Sequence, residues 1–191
     1  MKRDIILCGV GGQGILTIAT IIGEAATKTG LYLKQAEVHG MSQRGGDVQS
    51  NLRLSTEEIK SDLIPSGQVD VIISMEPMEA LRYLPLLSKD GWVVTSSRAI
   101  VNIPNYPDDA ALQAELEALP RIKKLDIEEI ARANNLPKGA NMILLGMVAR
   151  HLDIVSAADL REAVGVIFAP KGEDVVKANQ KAFDIGYAPS K

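Results

Sequence analysis

The chain has 191 residues, of which 46% are hydrophobic, 4% aromatic and 24% charged, and it carries a net charge of −3 with one cysteine. That length supports one well-buried core and crowds out a second. The slight negative balance excludes a broad nucleic-acid surface, no apolar run approaches the roughly 20 residues that span a bilayer, and the lone Cys8 excludes an internal disulfide and fits a reducing, cytoplasmic setting.

Asp4–Cys8 is a short apolar run closed by glycines and predicts a buried parallel strand, entered so early that no signal peptide is expected. Ile15, Ile18, Ile22 and Ala25 recur at helical spacing up to Lys28, with Gly30 as a stop signal. Tyr32–Val38 and Val48–Leu54 read as strands, and Val69–Met75 ("VDVIISM") as a central strand covered on both faces. A helix is predicted over Met78–Leu87, with Pro85 as its end or kink, and the Asp90-Gly91 turn leads into a strand at Trp92–Ser96. The prolines of Ala99–Pro107 forbid a central strand or a helix interior. Beyond them come a surface helix at Asp108–Leu119, an edge strand at Lys123–Leu125, and a helix from Ile127 with Asp126 and Glu129 at capping-box spacing. Ala140–Leu152 is apolar nearly all round and predicts a buried helix, followed by helices near Ala157–Val166 and Gly172–Ile185. The expectation is one α/β domain over residues 1–191, Rossmann-like, with a mainly parallel sheet, helices on both faces and a helical C-terminal end.

The stretch "GVGGQG" after the first strand places Gly9, Gly11 and Gly14 at dinucleotide-binding spacing. Backbone N–H groups at a helix start form an anion site without any charged side chain. The same glycines also serve a sharp strand-to-helix turn that binds nothing, and the sequence leaves both readings open. An NAD site needs an acid closing the second strand, and Glu37 is the candidate. The chain then continues "VHGMSQRGGDVQ", where Gly45 and Gly46 suit a second amide nest with Arg44 as a bidentate anion partner, or an ordinary solvated turn.

Taken in order, "GVGGQG", "EVHGMSQRGGDV", "LIPSGQVDVIISMEPMEALRYLP", "GANMILLG" (Gly139–Gly146) and "NQKAFDIGY" (Asn179–Tyr187) resemble the gamma subunit or domain of 2-oxoacid:ferredoxin oxidoreductases, with "HGMSQRGG" closest to the smaller subunit of the indolepyruvate branch. That resemblance implies oxidative decarboxylation of a 2-oxoacid on thiamine diphosphate, electron transfer through iron–sulfur clusters to ferredoxin, and release of an acyl-CoA. A [4Fe–4S] cluster needs four thiolates, the chain has one cysteine, and the thiamine-binding GDG pattern and metal-ligand spacings are missing. The resemblance therefore implies a subunit inactive alone, with a larger partner holding thiamine diphosphate and the clusters and reaching ferredoxin through the complex. Its uncovered partner surface can pair with itself as a homodimer when isolated.

Coenzyme A is the anionic ligand the resemblance places nearest this subunit. Its candidate contacts are Gly9, Gly11, Gly12, Gln13 and Gly14 in the first loop and Ser42, Arg44, Gly45 and Gly46 in the second. No catalytic residue or metal ligand is assigned. His39 reads as a loop histidine bonded to backbone or as a contact to substrate or partner, and His151 as a cap on the last carbonyls of its helix. Glu76, Pro77 and Glu79 follow a strand C-terminus, where ligand sites gather, although acids also suit a helix start. Cys8 reads as a small buried hydrophobe. Two other functional readings stand beside the leading one: a free-standing NAD(P)-binding oxidoreductase using Gly9, Gly11, Gly14 and Glu37, and a scaffold without a ligand.

Overall fold

The apolar run after Lys2 becomes β1 (Lys2–Val10), which lies inside the sheet with Ile5, Ile6, Leu7 and Cys8 fully buried. Its side chains alternate between two cores. Ile5 and Leu7 join one, Ile6 and Cys8 the other, which is why the strand reads as continuously apolar. The computed structural model describes residues 1–39 and 45–188.

The chain continues through α1 (Ile15–Lys28), β2 (Tyr32–His39), β3 (Asp47–Ser55), β4 (Val69–Ser74), α2 (Pro77–Arg82), β5 (Leu87–Ser96), α3 (Asp109–Glu117) and β6 (Ile122–Leu125). Four helices close it: α4 (Ile127–Ala133), α5 (Ala140–Leu152), α6 (Ala157–Phe168) and α7 (Glu173–Tyr187). The sheet order is β2-β3-β1-β4-β5-β6. Pairs β1–β4, β4–β5 and β5–β6 are parallel, while β3 runs antiparallel to both β1 and β2. Five strands therefore share one direction, and the expected mainly parallel α/β sheet is present with one reversed strand.

Helices cover both faces. α1, α4, α5, α6 and α7 pack on the larger core, and α2 lies over the smaller one with Ala80. α5 is buried from Met142 to Ala149 because it is wedged between the sheet and the other helices, so its sequence shows no polar face. Side-chain caps set several helix starts: Glu76 accepts from Glu79 N–H, Asp108 from Ala111 N–H and Ser156 from Asp159 N–H.

Three local expectations change. The helix after β4 stops at Arg82 and gives way to a 3-10 turn at Leu84–Leu86 that contains Pro85. Asp90-Gly91 does not precede β5 but lies within it, where the register against β4 shifts between Val69 and Val71 and a Cβ at Gly91 would come within 2.8 Å of the Val69 carbonyl oxygen. The capping box at α4 is half formed: Asp126 accepts from Glu129 N–H at 2.8 Å, whereas the Glu129 carboxylate turns to Arg132.

Candidate functional site

The first glycine loop joins β1 to α1 at the C-terminal end of the parallel strands, and it is braced from inside. The Gln13 side chain accepts from Val10 N–H at 2.7 Å and donates to the Met75 carbonyl at 3.0 Å, which ties the loop to the ends of β1 and β4. A Cβ at Gly9 would meet Gln13 Oε1 at 2.9 Å and Met75 Cβ at 3.1 Å. The spacing of Gly9 and Gln13 is thus explained by packing. Gly14 begins α1 at φ 80°, a left-handed conformation that side chains disfavour, and a Cβ there would sit 2.7 Å from Asn141 Nδ2.

Gly11, the position a pyrophosphate approaches in a dinucleotide site, has a different partner. Its N–H donates to the Gly46 carbonyl at 2.8 Å and its carbonyl accepts from Gly45 N–H at 3.5 Å. The two glycine-rich loops therefore meet through Gly11, Gly45 and Gly46. Ser42 and Arg44 lie outside the described residues. Glu37 is not beside the first loop, because β3 intervenes between β2 and β1: Glu37 stands opposite Ser50, which stands opposite Leu7. Exposed on the sheet edge, Glu37 accepts from Gln35 at 2.7 Å. The acid that an NAD site needs is therefore two strands away from the glycines.

Gly12, Gln13, Gly14 and Thr17 form one wall of a cleft of about 760 Å³. A second wall, joined to the first where Asn141 Nδ2 donates to the Gly14 carbonyl at 3.3 Å, carries Lys138, Lys171 and Asn179, and Met75 and Ile100 form the apolar floor. Three helices begin at this cleft: α1 after Gly14, α5 after Gly139 and α7 after Gly172. Their N-terminal N–H groups and aligned dipoles favour an anion, opposed by Glu128 in the lining and by Glu173 and Asp174 in the first turn of α7. Lys138 and Lys171 are exposed at its rim, Lys171 lying 5.2 Å above the Phe168 ring. Glu128 also lines the cleft; burial pushes its pKa up, although it accepts from Ser96 at 2.9 Å.

Sequence reasoning missed this second wall. One signal was available: "PKG" occurs twice, at Pro137–Gly139 and Pro170–Gly172, each time immediately before a helix. Only the tertiary fold makes the two copies face one cleft.

The other candidates resolve as follows. Glu76 and Glu79 are both buried; Glu79 pairs with Arg82 at 2.9 Å, and Glu76 accepts from the N–H groups of Glu79 and Ile100 and from the Tyr106 hydroxyl. His151 stacks on Trp92 at 4.2 Å between ring centroids, at the end of the sheet away from the glycine loops, and burial holds its pKa below 6.5. Cys8 is fully buried and its thiol pKa is raised, chiefly by burial. Among the described residues no group of three His, Cys, Asp or Glu could hold a metal ion, and no helix is long and apolar enough to cross a membrane.

Residues 4–188 match the family model for pyruvate ferredoxin/flavodoxin oxidoreductase. The chain is 36% identical to indolepyruvate oxidoreductase subunit IorB of Pyrococcus horikoshii, covering 100% of this chain and 96% of that one. It is 34% identical to the subunit of the same name from Archaeoglobus fulgidus, covering 98% and 94%. In structure it resembles the gamma subunit of a keto/oxoacid ferredoxin oxidoreductase from Geobacter sulfurreducens, with a TM-score of 0.70 at 24% identity over 97% of this chain and 96% of that one. The 2-oxoglutarate:ferredoxin oxidoreductase of Magnetococcus marinus, determined with 2-oxoglutarate, coenzyme A and succinyl-CoA bound, shares the fold with a TM-score of 0.74 at 20% identity, over 97% of this chain and 30% of that one.

Proposed function

The chain belongs to the pyruvate ferredoxin/flavodoxin oxidoreductase family, and from that premise we propose that it is the small subunit of an indolepyruvate-type 2-oxoacid:ferredoxin oxidoreductase and seats coenzyme A in the glycine-loop cleft. The observation that carries the second part is the convergence of three helix N-termini and two lysines, Lys138 and Lys171, on one cleft. Coenzyme A presents a pyrophosphate and a ribose phosphate, the kind of ligand that helix N-termini and ammonium groups hold. When bound it supplies the thiol that receives the acyl group. In this reading Lys138 and Lys171 hold phosphate oxygens at the rim, and the backbone at Gly12 admits the ligand closely. Met75 and Ile100 exclude water from the floor. Arg44 adds a planar fork to one phosphate.

The chain's own residues do not fit an iron–sulfur cluster. Cys8 is its one cysteine and is closed inside the sheet. Thiamine diphosphate and the clusters accordingly belong to a larger partner, and ferredoxin is reached through the complex. When isolated, the exposed Tyr32, Leu33 and Val38 of edge strand β2 favour pairing with a second copy.

The test is reconstitution with the larger subunit. Indolepyruvate-dependent reduction of a viologen dye should be absent from the chain alone and restored on mixing. In the assembled enzyme, Lys138→Ala with Lys171→Ala should raise the KM for coenzyme A about a hundredfold, in line with losing two hydrogen bonds to charged groups at about 1.5 kcal/mol each. Arg44→Ala should cost about 1.5–3 kcal/mol in coenzyme A use, with Lys a partial rescue because it lacks the fork. Normal assembly with unchanged coenzyme A kinetics in these variants would remove the cleft from the reaction, and 2-oxoacid oxidation by the chain alone would overturn the assignment as an incomplete subunit.

A further inference from the structure

Glu76 is a fully buried acid at the end of β4 that no part of the coenzyme A seat uses. Its carboxyl group gathers three donors from two parts of the chain. Glu79 N–H, at 2.9 Å, comes from its own helix α2; Ile100 N–H, at 3.2 Å, and the Tyr106 hydroxyl come from the irregular loop after β5. Both loop contacts fall on Oε1, so one oxygen pins residue 100 and residue 106 together. Burial, then the bond to Glu76, raises the Tyr106 pKa, which keeps the hydroxyl a donor across the working range.

Between those two pins lies Asn102. Its Nδ2 donates to the Gly45 carbonyl at 2.9 Å, and Gly45 and Gly46 in turn bond to Gly11. Asn102 Oδ1 is closed off from solvent with no donor on it, the one such side-chain atom among the described residues. An enclosed acceptor without a partner is unfavourable, so Asn102 does not hold itself there; its anchored loop does. Ile100, one of the pinned residues, is also part of the floor of the cleft.

We propose that Glu76 is a positioning residue: through Tyr106 and Ile100 it fixes the 99–107 loop, whose Ile100 forms part of the cleft floor, and through Asn102 that loop holds Gly45 and Gly46 against Gly11. The route is Glu76 to the 99–107 loop, to Gly45, to Gly11. Its consequence for ligand use rests on the coenzyme A reading above, whereas the mechanical coupling does not.

Glu76 also caps α2, so its own replacement risks the fold; Tyr106→Phe and Asn102→Ala isolate the two links instead. Amide hydrogen exchange on the full chain reads both. Tyr106→Phe should speed exchange at Ile100 about tenfold, the effect of losing one hydrogen bond of the common strength. Gly11 and Gly45 should accelerate with it while the core amides of β1 and β4 stay unchanged. Asn102→Ala should free Gly11 and Gly45 and leave Ile100 protected. In the enzyme assembled with its larger subunit, both variants should raise the KM for coenzyme A several-fold at unchanged kcat, a split that a general loss of stability does not produce.

Unchanged exchange at Ile100 in folded Tyr106→Phe, or acceleration at Ile100 that never reaches Gly11 and Gly45, would overturn the proposal. Coupled exchange with an unchanged coenzyme A KM would uphold the coupling and count against the coenzyme A seat instead.

Discussion

Replacing Gly146 with Ala should destabilise the chain even though alanine is the better helix former. Gly146 lies in the middle of α5, where α7 crosses it, and the reciprocal position on α7 is Gly186. A Cβ at Gly146 would stand 2.1 Å from the Phe183 carbonyl oxygen and 2.7 Å from Tyr187 N, short of the 3.4 Å of ordinary contact by about 1.3 Å at the first. Both obstacles are backbone, so relief requires α7 to move as a body and to draw Phe183, now 1% exposed, out of the core. Overpacking of this kind costs about 1–3 kcal/mol, and the rigid obstacle places it at the upper end. The gain in helix propensity offsets about 1 kcal/mol, which leaves a net loss of about 2 kcal/mol.

Gly165 in α6 provides the control. A Cβ there meets side chains alone, Gln180 Nε2 at 3.1 Å, the far end of a flexible side chain, and Val176 Cγ1 at an ordinary 3.9 Å, so Gly165→Ala should keep most of the propensity gain. Guanidinium denaturation followed by far-UV circular dichroism should separate the two variants by about 3 kcal/mol at equal m-values. Gly146→Ala as stable as Gly165→Ala would refute the close-approach argument. The wedge also bears on the cleft, since α5 carries Asn141 and α7 carries Asn179 on its walls.

Other substitutions test the core and its charges. Asp4 is fully buried and holds Arg53 through two bonds of 2.8 and 3.0 Å, so Asp4→Ala should cost about 3 kcal/mol in urea denaturation by leaving a largely buried guanidinium with the Ser61 and Leu63 carbonyls but no counter-charge; a loss below 1 kcal/mol would mean that the pair acts as a surface bridge. The buried, raised-pKa Cys8 should resist a disulfide reagent at pH 8 in the folded chain and react at once in denaturant, and rapid labelling of the native chain would contradict its placement. His151 has a folded pKa below 6.5, so the unfolded chain binds its proton first; the stability this histidine contributes is present above pH 6.5 and is lost as pH falls below it. Between pH 7.5 and 5 the chain should therefore lose more stability than His151→Gln, and equal losses would show that the ring titrates freely.

The sequence by itself determined nearly every element of this protein, because strands and helices announce themselves in short-range periodicity. Ile15 to Ala26 spell out one helical face, "VDVIISM" a doubly buried strand, and Asp126 a helix start, and each lies where its pattern places it. Order and register in the sheet are long-range facts. Nothing local in Asp47–Ser55 says that it enters antiparallel between β2 and β1, yet that insertion removes Glu37 from the first glycine loop and lets the second loop fold back onto Gly11. The glycine spacing was legible, but its use was not: Gln13 is spent on a brace within the fold, and Gly11 on contact with Gly46. The cleft joins residues 12–17 to Lys138, Lys171 and Asn179, far apart in the chain, and Glu76 reaches Ile100 and Tyr106 across 24 and 30 positions. Such contacts exist only once apolar burial has closed the chain, so tertiary structure alone decided which polar groups face one another.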